Sequence, residues 1–317
     1  DHRDLHSFPT RRSSDLNIGL RYEDSQAVGF SETLDSTVNL RIKRFFPSLS
    51  VSAPLGGSLG WSAAYSYRIK RPGYYDLNPF IQYLDPLTSD KGNPFLVPEL
   101  THSGQLSLTF DKQPFFNLSY DVTRNALTEV IEQNDETGEA FKTNVNLDKY
   151  TRYGGSLFFP LDFIAKSISG YGGVMVYYHD YRAEYLNADF LQNQWSATGF
   201  LQVNATLPKG WKAELSGWIQ SPGIDGIMRH ETMYGVSAGL QKELFEKRLR
   251  LQLNAEGIVQ KFFNARVDYA NLDFDILSQW EAPVVNLRAT WKFGNQHLKN
   301  RDNRDSSSSS EQRRLNN

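Results

Sequence analysis

From about residue 37 to residue 293, apolar and polar side chains alternate in long runs that are separated by short turns. One run near the end shows the alternation, with Val285, Leu287 and Ala289 apolar and Asn286, Arg288 and Thr290 polar. Successive side chains of a β-strand point to opposite faces, so each run predicts a strand with one apolar and one polar face. Such strands tiled along a chain are typical of a transmembrane β-barrel, apolar towards lipid and polar towards its lumen.

Alternation and turn residues together predict twelve strands. They lie near 17–25, 37–52, 58–70, 100–111, 115–131, 140–159, 168–185, 194–207, 210–221, 231–243, 248–261 and 283–293. Short connections are predicted at 56–58, 111–114, 208–210 and 245–247, and long ones at 71–99, 186–193, 222–230 and 262–282. Short and long connections thus tend to alternate along the chain. Membrane barrels have short periplasmic turns and longer extracellular loops, so this alternation predicts that the last strand ends in the periplasm.

Strand length separates this fold from a soluble β-sandwich, whose strands are usually about five or six residues long. The predicted strands are nearer ten residues or more, which matches a tilted bilayer crossing of about nine to eleven. No apolar run approaches the roughly eighteen residues of a membrane-spanning helix. Only helices and closed barrels satisfy their backbone hydrogen bonds within lipid. The predicted fold class is therefore all-β, an antiparallel transmembrane β-barrel.

The amino-acid composition excludes several kinds of site and partner. The 317 residues include no cysteine, which excludes disulfides, thiolate catalysis and cysteine-ligated metals. The 34 basic and 36 acidic side chains leave no basic excess, so no nucleic-acid partner is predicted. A nucleophile elbow, a zinc-protease helix motif and a phosphate-binding loop are all missing from the sequence. We assign no catalytic, cofactor-binding or metal residue and do not predict an enzyme.

Three acidic or histidine-containing stretches are possible sites. His179-Asp180 and His230-Glu231 are adjacent pairs, and neighbours on a strand face opposite sides, so neither pair forms a two-ligand site by itself. Asp273 and Asp275 share a face in the 262–282 connection, where oxygens are plentiful enough to suggest calcium. Because the EF-hand spacing is missing, a solvated acidic loop is the favoured interpretation.

The two ends of the chain do not follow the barrel pattern. Residues 1–16, DHRDLHSFPTRRSSDL, look like the translated read-through of a sequencing adapter and lack the apolar core of a signal peptide. Residues 295–317 are polar and serine-rich, which predicts a disordered tail. The predicted barrel part is 17–294, and we expect the native protein to continue upstream of Asn17.

Residues 68–101, RIKRPGYYDLNPFIQYLDPLTSDKGNPFLVPELT, resemble the signature loop of the TonB-dependent outer-membrane receptors, in particular their Bacteroidetes β-barrel family. The matching positions are Arg68, Arg71, Pro72, Tyr74, Leu77, Asn78, Pro79, Phe80, Gly92, Asn93, Pro94, Leu96, Pro98 and Glu99. The closing Trp291, Phe293 and Gly294 resemble the terminal strand of that family. The chain departs from the family at 255–257, where the usual acidic-aromatic pair is replaced by Ala-Glu-Gly.

This resemblance implies a 22-stranded barrel in the bacterial outer membrane, of which the twelve strands would be the C-terminal portion. It also implies a plug from the missing N-terminal part, energy passed on by TonB, assembly by the outer-membrane machinery, contact with outer-membrane lipid and uptake of an unidentified small ligand. The alternative is a passive pore or small structural barrel, complete at about twelve strands and without a plug.

For the 68–99 segment, the residues alone favour a loop scaffold over direct ligand contact. Proline fixes φ and lacks a donor, so Arg71-Pro72 ends a strand, and the two Asn-Pro pairs, at 78–79 and 93–94, shape turns. At the other end, Phe293 is the predicted position for recognition during barrel assembly.

Overall fold

A computed structural model describes residues 14–31 and 36–293. The strands are β1 (Asp15–Ser31), β2 (Ser36–Gly56), β3 (Leu59–Lys70), β4 (Ile81–Tyr83), β5 (Thr88–Lys91), β6 (Glu99–Phe110), β7 (Gln113–Gln133), β8 (Ala140–Pro160), β9 (Ile168–Tyr185), β10 (Ala188–Leu207), β11 (Trp211–Gln220), β12 (Gly223–Asp225), β13 (Met228–His230), β14 (Met233–Leu244), β15 (Leu249–Lys261), β16 (Phe263–Tyr269), β17 (Leu272–Ser278) and β18 (Val284–Trp291). A one-turn helix, α1 (Tyr74–Leu77), and a 3-10 turn (Pro208–Gly210) complete the described elements.

Twelve of these strands form one antiparallel sheet in the order β1-β2-β3-β6-β7-β8-β9-β10-β11-β14-β15-β18. They are the twelve strands predicted from the alternation, and each pairs with the wall strands that precede and follow it in the sequence. The short strand β5 joins this sheet by parallel pairing with β8 and carries β4 on its other side. The predicted all-β, antiparallel architecture is confirmed.

Cross-strand register separates the side chains into an apolar outer face and a polar inner face. On the outer face, Leu106 lies opposite Leu118, and Leu157 lies opposite Val174. These four apolar side chains are all about half exposed. On the inner face a row of hydrogen-bonded polar side chains runs across three strands. Ser107 Oγ donates to Asn117 Oδ1 at 2.7 Å, and Asn117 Nδ2 donates to Ser156 Oγ at 3.2 Å. This is the division expected of a wall between lipid and an aqueous lumen.

The connections follow the predicted alternation of short and long, with one correction. At the periplasmic end most are short, as in the two-residue turn Asp111-Lys112, whose φ angles of 47° and 66° are left-handed. The exception is the connection between β8 and β9, which spans residues 161–167. The predicted long loop 186–193 is wrong, because β10 begins at Ala188 and only Leu186 and Asn187 form the turn, at φ 49° and 59°. Leucine is not among the residues that favour a left-handed turn, so the sequence does not indicate the tight hairpin between β9 and β10.

The other long connections contain structure of their own. Residues 71–99 include α1, β4 and β5, residues 222–230 include β12 and β13, and residues 262–282 include β16 and β17. Within the described ranges, no helix is both long and apolar enough to cross a bilayer.

The first strand is longer than predicted. β1 begins at Asp15 and extends to Ser31, where the alternation predicted only 17–25, and Asp15 and Leu16 pair with Ser52 and Val51. The adapter origin of residues 1–16 stays a prediction, and residues 1–13 lie outside the described part. The predicted tail, 295–317, and Gly294 of the terminal signature also lie outside it.

Replacement of Gly170 tests the close approach of strands in the wall. Gly170 has φ +142°, and a Cβ there would overlap the backbone carbonyl oxygen of Gln202. We expect Gly170→Ala to reduce the fraction of heat-modifiable, folded protein on semi-native gels. Alanine disfavours the left-handed backbone, and room for its Cβ would require β9 and β10 to separate and lose hydrogen bonds. Gly199→Ala is the matched control, since its Cβ would meet Ile219 Cγ2 at an ordinary 3.5 Å. Equal folding of the two variants would contradict the register described here.

Candidate functional site

Two consecutive long connections fold together into a second sheet, which we call the loop sheet. It has the order β12-β13-β16-β17 and is antiparallel throughout. The contact between the two connections is the pairing of β13 with β16, in which Met228 lies opposite Val267. Each connection alone supplies only a two-stranded hairpin, which is marginal in water, so the pairing makes both more stable.

The loop sheet packs against the inner face of β7 to β10 near their extracellular ends. Its apolar cluster with the wall is buried, and Phe190 and Val267 have no exposed surface. The buried members are Ala126, Val130, Leu147, Tyr181, Phe190, Ile224, Ile227, Val267 and Leu272. The two connections therefore fold over the inner face of the wall instead of projecting away from it.

Polar contacts hold the tip of the loop sheet to two wall turns. Tyr269 Oη lies 2.5 Å from the carbonyl oxygen of Tyr185 and 2.7 Å from that of Ala188. Gln133 donates to the Asn271 carbonyl oxygen at 3.1 Å, and Asn271 Nδ2 donates to Asp135 Oδ2 at 3.2 Å. The amide hydrogen bonds from Gln133 and Asn271 lower the pKa of Asp135, which keeps this carboxylate ionised as an acceptor.

The acidic pair singled out in the sequence lies in this sheet and has a basic partner. Arg266 Nη2 lies 2.5 Å from Asp273 Oδ1, and its Nη1 lies 3.2 Å from Asp275 Oδ1. The hydrogen bond to Asp275 and the charge of Asp273 raise the pKa of Arg266. The carboxylates thus neutralise an arginine across a hairpin, and among the described residues no group of three or more acidic or histidine side chains is placed to hold a metal.

A cavity of about 290 Å³ lies between the loop sheet and the wall. His179 from β9 and His230 from β13 both line it, together with Tyr150, Ser196, Asp225 and Phe263. The His179 ring is fixed by Tyr150 Oη at 2.7 Å from Nδ1 and by Ser196 Oγ at 2.9 Å from Nε2. The loop sheet therefore brings together one histidine from each of the two pairs that sequence reasoning treated separately.

Beside this cavity the inner face carries a charged network, in which Arg152 lies opposite His179. Asp121 accepts from Ser103 Oγ at 2.6 Å and from Arg152 Nη2 at 2.9 Å. The Arg152 guanidinium lies 5.0 Å above the Tyr177 ring, within the range of a cation–π contact. Hydrogen-bond donors, acceptors and aromatic rings thus lie next to one another on the inner face, the surface that a polar solute in the lumen would contact.

The signature segment is anchored to β8 by two asparagines. Asn146 donates to the carbonyl oxygens of Val97 (2.9 Å) and Asn125 (2.8 Å) and accepts from Val97 N (2.8 Å). Asn144 donates to Asp76 Oδ1 at 3.1 Å, and its carbonyl oxygen accepts from Asn93 Nδ2 at 3.1 Å. These bonds fix both halves of the segment onto one strand.

Inside the segment, the two Asn-Pro pairs form similar turns. Asn78 Oδ1 accepts from Phe80 N at 3.2 Å, and Asn93 Oδ1 accepts from Phe95 N at 3.0 Å, each across the intervening proline. The two turns lie back to back, because a Cβ on Gly92 would be 2.7 Å from Asn78 N. Only glycine allows this approach, which explains its place in the motif.

The charged members of the segment brace strands. Arg71 Nη2 lies 2.6 Å from Glu23 Oε2 on β1, and Glu99 accepts from Leu127 N at 2.7 Å and from Lys70 Nζ at 3.1 Å. Leu96 and Pro98 are buried, whereas Tyr74 and Phe80 are exposed. Pro72, Leu77, Pro79 and Pro94 complete the turns around α1, and Arg68 lies on the inner face of β3 beside Ser66 and Ser103. This geometry agrees with a loop scaffold.

At the other end of the wall, aromatic side chains gather around the last strand. Trp291 ends β18 opposite Leu249, 5.7 Å from the Phe245 ring and 6.3 Å from the Phe293 ring. Phe293 is largely exposed. Aromatic rings at this level are typical of a periplasmic membrane interface.

Comparison with known families gives one match that covers most of the chain. A model of the outer membrane protein beta-barrel family matches residues 8–291. No curated protein matches.

Among solved structures, the chain is similar to receptor and transporter barrels at low sequence identity. The FrpB iron transporter of Neisseria meningitidis matches 87% of this chain and 42% of its own, at 13% identity and a TM-score of 0.51. A mutant of the ferric enterobactin receptor of Pseudomonas aeruginosa, in complex with enterobactin, matches 79% of this chain and 38% of its own, at 13% identity and a TM-score of 0.50. The chain thus spans about two fifths of the length of these proteins, and the likeness shows the fold.

Truncation of one buried loop-sheet residue tests the inward docking. Ile227 is 1% exposed in the cluster with the wall. Ile227→Ala should cost about 2–5 kcal/mol through lost burial and a cavity. Hydrogen exchange in β12, β13, β16 and β17 should rise while that of the wall strands stays unchanged. Leu277→Ala, at an exposed position of β17, is the control and should leave exchange unaltered. Unchanged exchange in Ile227→Ala would show that the loop sheet does not depend on this contact.

A second substitution tests the anchoring of the signature segment. Asn146→Ala removes three hydrogen bonds, each worth about 1 kcal/mol, and leaves backbone groups of Val97 and Asn125 without that partner. Exchange of the amides at 92–98 should increase at least tenfold. Asn286→Ala, on the exposed part of β18, provides the control. Wild-type protection at 92–98 in Asn146→Ala would refute the anchoring role.

Proposed function

Because the chain belongs to the outer membrane protein beta-barrel family, we propose that it forms the C-terminal barrel part of a TonB-dependent receptor that imports a small ligand across the bacterial outer membrane. The family and the receptor-like folds favour a transporter over an enzyme. The predicted location in the bacterial outer membrane is confirmed by the family match. The TonB-dependent, Bacteroidetes-type assignment rests on the signature segment at 68–99 and on this fold.

The observation that carries the proposal is the pair of open edges in the wall. Within the described residues, β1 pairs only with β2 and β18 only with β15. Open edges do not occur within hydrocarbon, because each unpaired backbone group there costs several kcal/mol. A complete twelve-stranded pore would pair β1 with β18. The unpaired edges instead favour about ten further strands, as in 22-stranded transporters with a plugged lumen.

The inner face supports import of a ligand that is selected before it passes. The loop sheet narrows the approach from outside, and its cavity presents His179, His230, Tyr150 and Asp225. Beside it, Asp121 and Arg152 offer both signs of charge. Such a set of convergent polar groups is typical of a site that recognises a solute. The ligand class stays open among siderophores, glycans, peptides and vitamins, and ferric enterobactin is the first probe to use because one structural neighbour binds enterobactin.

Two further roles belong to this proposal. The segment from Arg68 to Glu99 acts as a rigid scaffold for the extracellular surface, and the terminal Trp291 and Phe293 are the positions read by the outer-membrane assembly machinery. A plug formed by the upstream part of the protein would fill the lumen and contact TonB.

Liposome swelling separates a plugged receptor from a passive pore. The full-length protein, reconstituted into liposomes, should give no swelling with arabinose, because the plug blocks diffusion. A variant that lacks the upstream plug-encoding part but keeps all barrel strands serves as the control for insertion and should swell rapidly. Arabinose-dependent swelling of the full-length protein would contradict the proposal and support a passive pore.

A further inference from the structure

The inner face of β8 to β11 carries three aromatic side chains in one row. Phe158 is two residues from Ser156, and Trp218 is two residues from Gln220, so both share the lumen-facing side of their strands. Phe200 on β10 lies directly opposite Trp218 and therefore faces the lumen as well. We call Phe158, Phe200 and Trp218 the aromatic platform. An apolar surface that faces an aqueous lumen indicates contact with something other than water.

Two glycines let the rings of the platform lie along the wall. Gly173 is opposite both Phe158 and Phe200, and Gly235 is opposite Trp218. A Cβ on Gly173 would be 2.6 Å from Phe158 Cδ1 and 2.8 Å from Phe200 Cε1, and a Cβ on Gly235 would be 2.9 Å from Trp218 Nε1. The rings thus occupy the space that neighbouring side chains would otherwise fill. They form a low, broad surface, which suits a flat ring better than the interlocking side chains of a packed protein surface.

In this described part of the wall, β8 to β11 and β14, the rows next to the platform contain no charged side chain. Towards the cavity the adjacent row consists of Ser156, Met175, Thr198, Gln220 and Met233. Towards the periplasm it consists of Pro160, Tyr171, Gln202, Ser216 and Ser237. On the inner face of β8 to β11, Arg152 lies three rows above the platform and Glu214 two rows below it. An anionic ligand would therefore find no cationic partner at the platform.

Amide and hydroxyl groups lie on both sides of the rings instead. Thr198 and Gln220 lie on the cavity side of the platform, and Gln202 and Ser216 lie on its periplasmic side. These side chains can both donate and accept hydrogen bonds. A sugar ring has an apolar face of C–H groups and an edge of hydroxyl groups, so it can cover an aromatic ring while its hydroxyls are hydrogen-bonded. The chemistry around the platform therefore matches a neutral sugar.

We propose that the aromatic platform binds a neutral sugar ring as the ligand passes from the cavity into the lumen, an inference that rests on the proposed import function. Gln220 lines the cavity and lies two residues from Trp218, about 7 Å along the strand, so a ligand that leaves the cavity contacts the platform next. Trp218 and Phe200 cover the apolar face of the sugar, and the neighbouring amides and hydroxyls bind its edge. The imported ligand is accordingly a neutral oligosaccharide and not an anionic siderophore.

Binding of neutral hexasaccharides to the full-length protein in detergent provides the test. The probes are maltohexaose, cellohexaose and xylohexaose, and their dissociation constants are measured by isothermal titration calorimetry. We expect wild-type protein to bind at least one of them. Trp218→Leu should weaken that binding about tenfold, because leucine is apolar but has no planar ring to cover the sugar. Trp218→Tyr keeps a ring and should stay within about threefold of the wild type.

Trp211→Leu is the matched control. Trp211 lies on the same strand as Trp218 and is equally exposed, 38% against 39%, but it is an odd number of residues away and faces outwards. Its replacement should leave sugar binding unchanged. Heat-modifiability must be equal in all variants, and a comparison of Phe200→Leu with wild type keeps the test valid if Trp218→Leu folds poorly.

Four results would overturn the proposal. They are no binding of any hexasaccharide by the wild type, unchanged binding in Trp218→Leu, equal weakening in Trp211→Leu, and Trp218-dependent binding of ferric enterobactin without binding of a hexasaccharide. Arabinose-dependent liposome swelling that appears only in Trp218→Leu would also overturn it, because the platform would then contact the plug. Swelling of the wild-type protein contradicts the receptor function itself, so the two proposals fail in different measurements.

Discussion

A backbone amide or carbonyl group in hydrocarbon has no water to bind, and this constraint governs the whole wall. Every strand of the wall must pair with a neighbour along its length, which the antiparallel order of the twelve wall strands provides. The same requirement fixes the alternation of side chains, because a paired strand shows one face to lipid and the other to the lumen. It also makes the open edges of β1 and β18 the most informative feature of the fold. These edges are the ground on which we propose that the sheet continues in further strands.

The loops depend on the wall in turn. Where the strands extend beyond the bilayer, the inner face changes from polar to apolar, with Ala126, Leu147, Tyr181 and Phe190 in place of the serines and asparagines below. This apolar strip gives the loop sheet a surface to bury. The extracellular connections therefore pack inside the outline of the wall, where they shape the approach to the lumen. The residues that cover the apolar strip are thus the ones that we propose to take part in the selection of a solute.

The sequence predicts the strands well because their signal is local. A period of two needs no knowledge of distant residues, and all twelve wall strands appear in the structure near their predicted positions. The features that the sequence does not predict depend on contacts between distant residues, or occur at residues that are not typical of the structure they adopt. Pairing of β13 with β16 joins segments about forty residues apart, so the meeting of His179 and His230 at one cavity was not visible from two separate pairs. The Leu186-Asn187 turn has no glycine, and Tyr269 from a distant hairpin binds the carbonyl groups on either side of it.

We propose that these twelve strands are part of a larger plugged barrel, and a long-read sequence of the source DNA upstream of the codon for Asn17 tests this most directly. We expect an open reading frame that continues through about ten more alternating strands into a globular plug domain, with residues 1–16 absent from the native frame. A signal peptide placed directly before Asn17 would contradict it. The protein would then be a small complete barrel, and β1 and β18 would have to pair with each other.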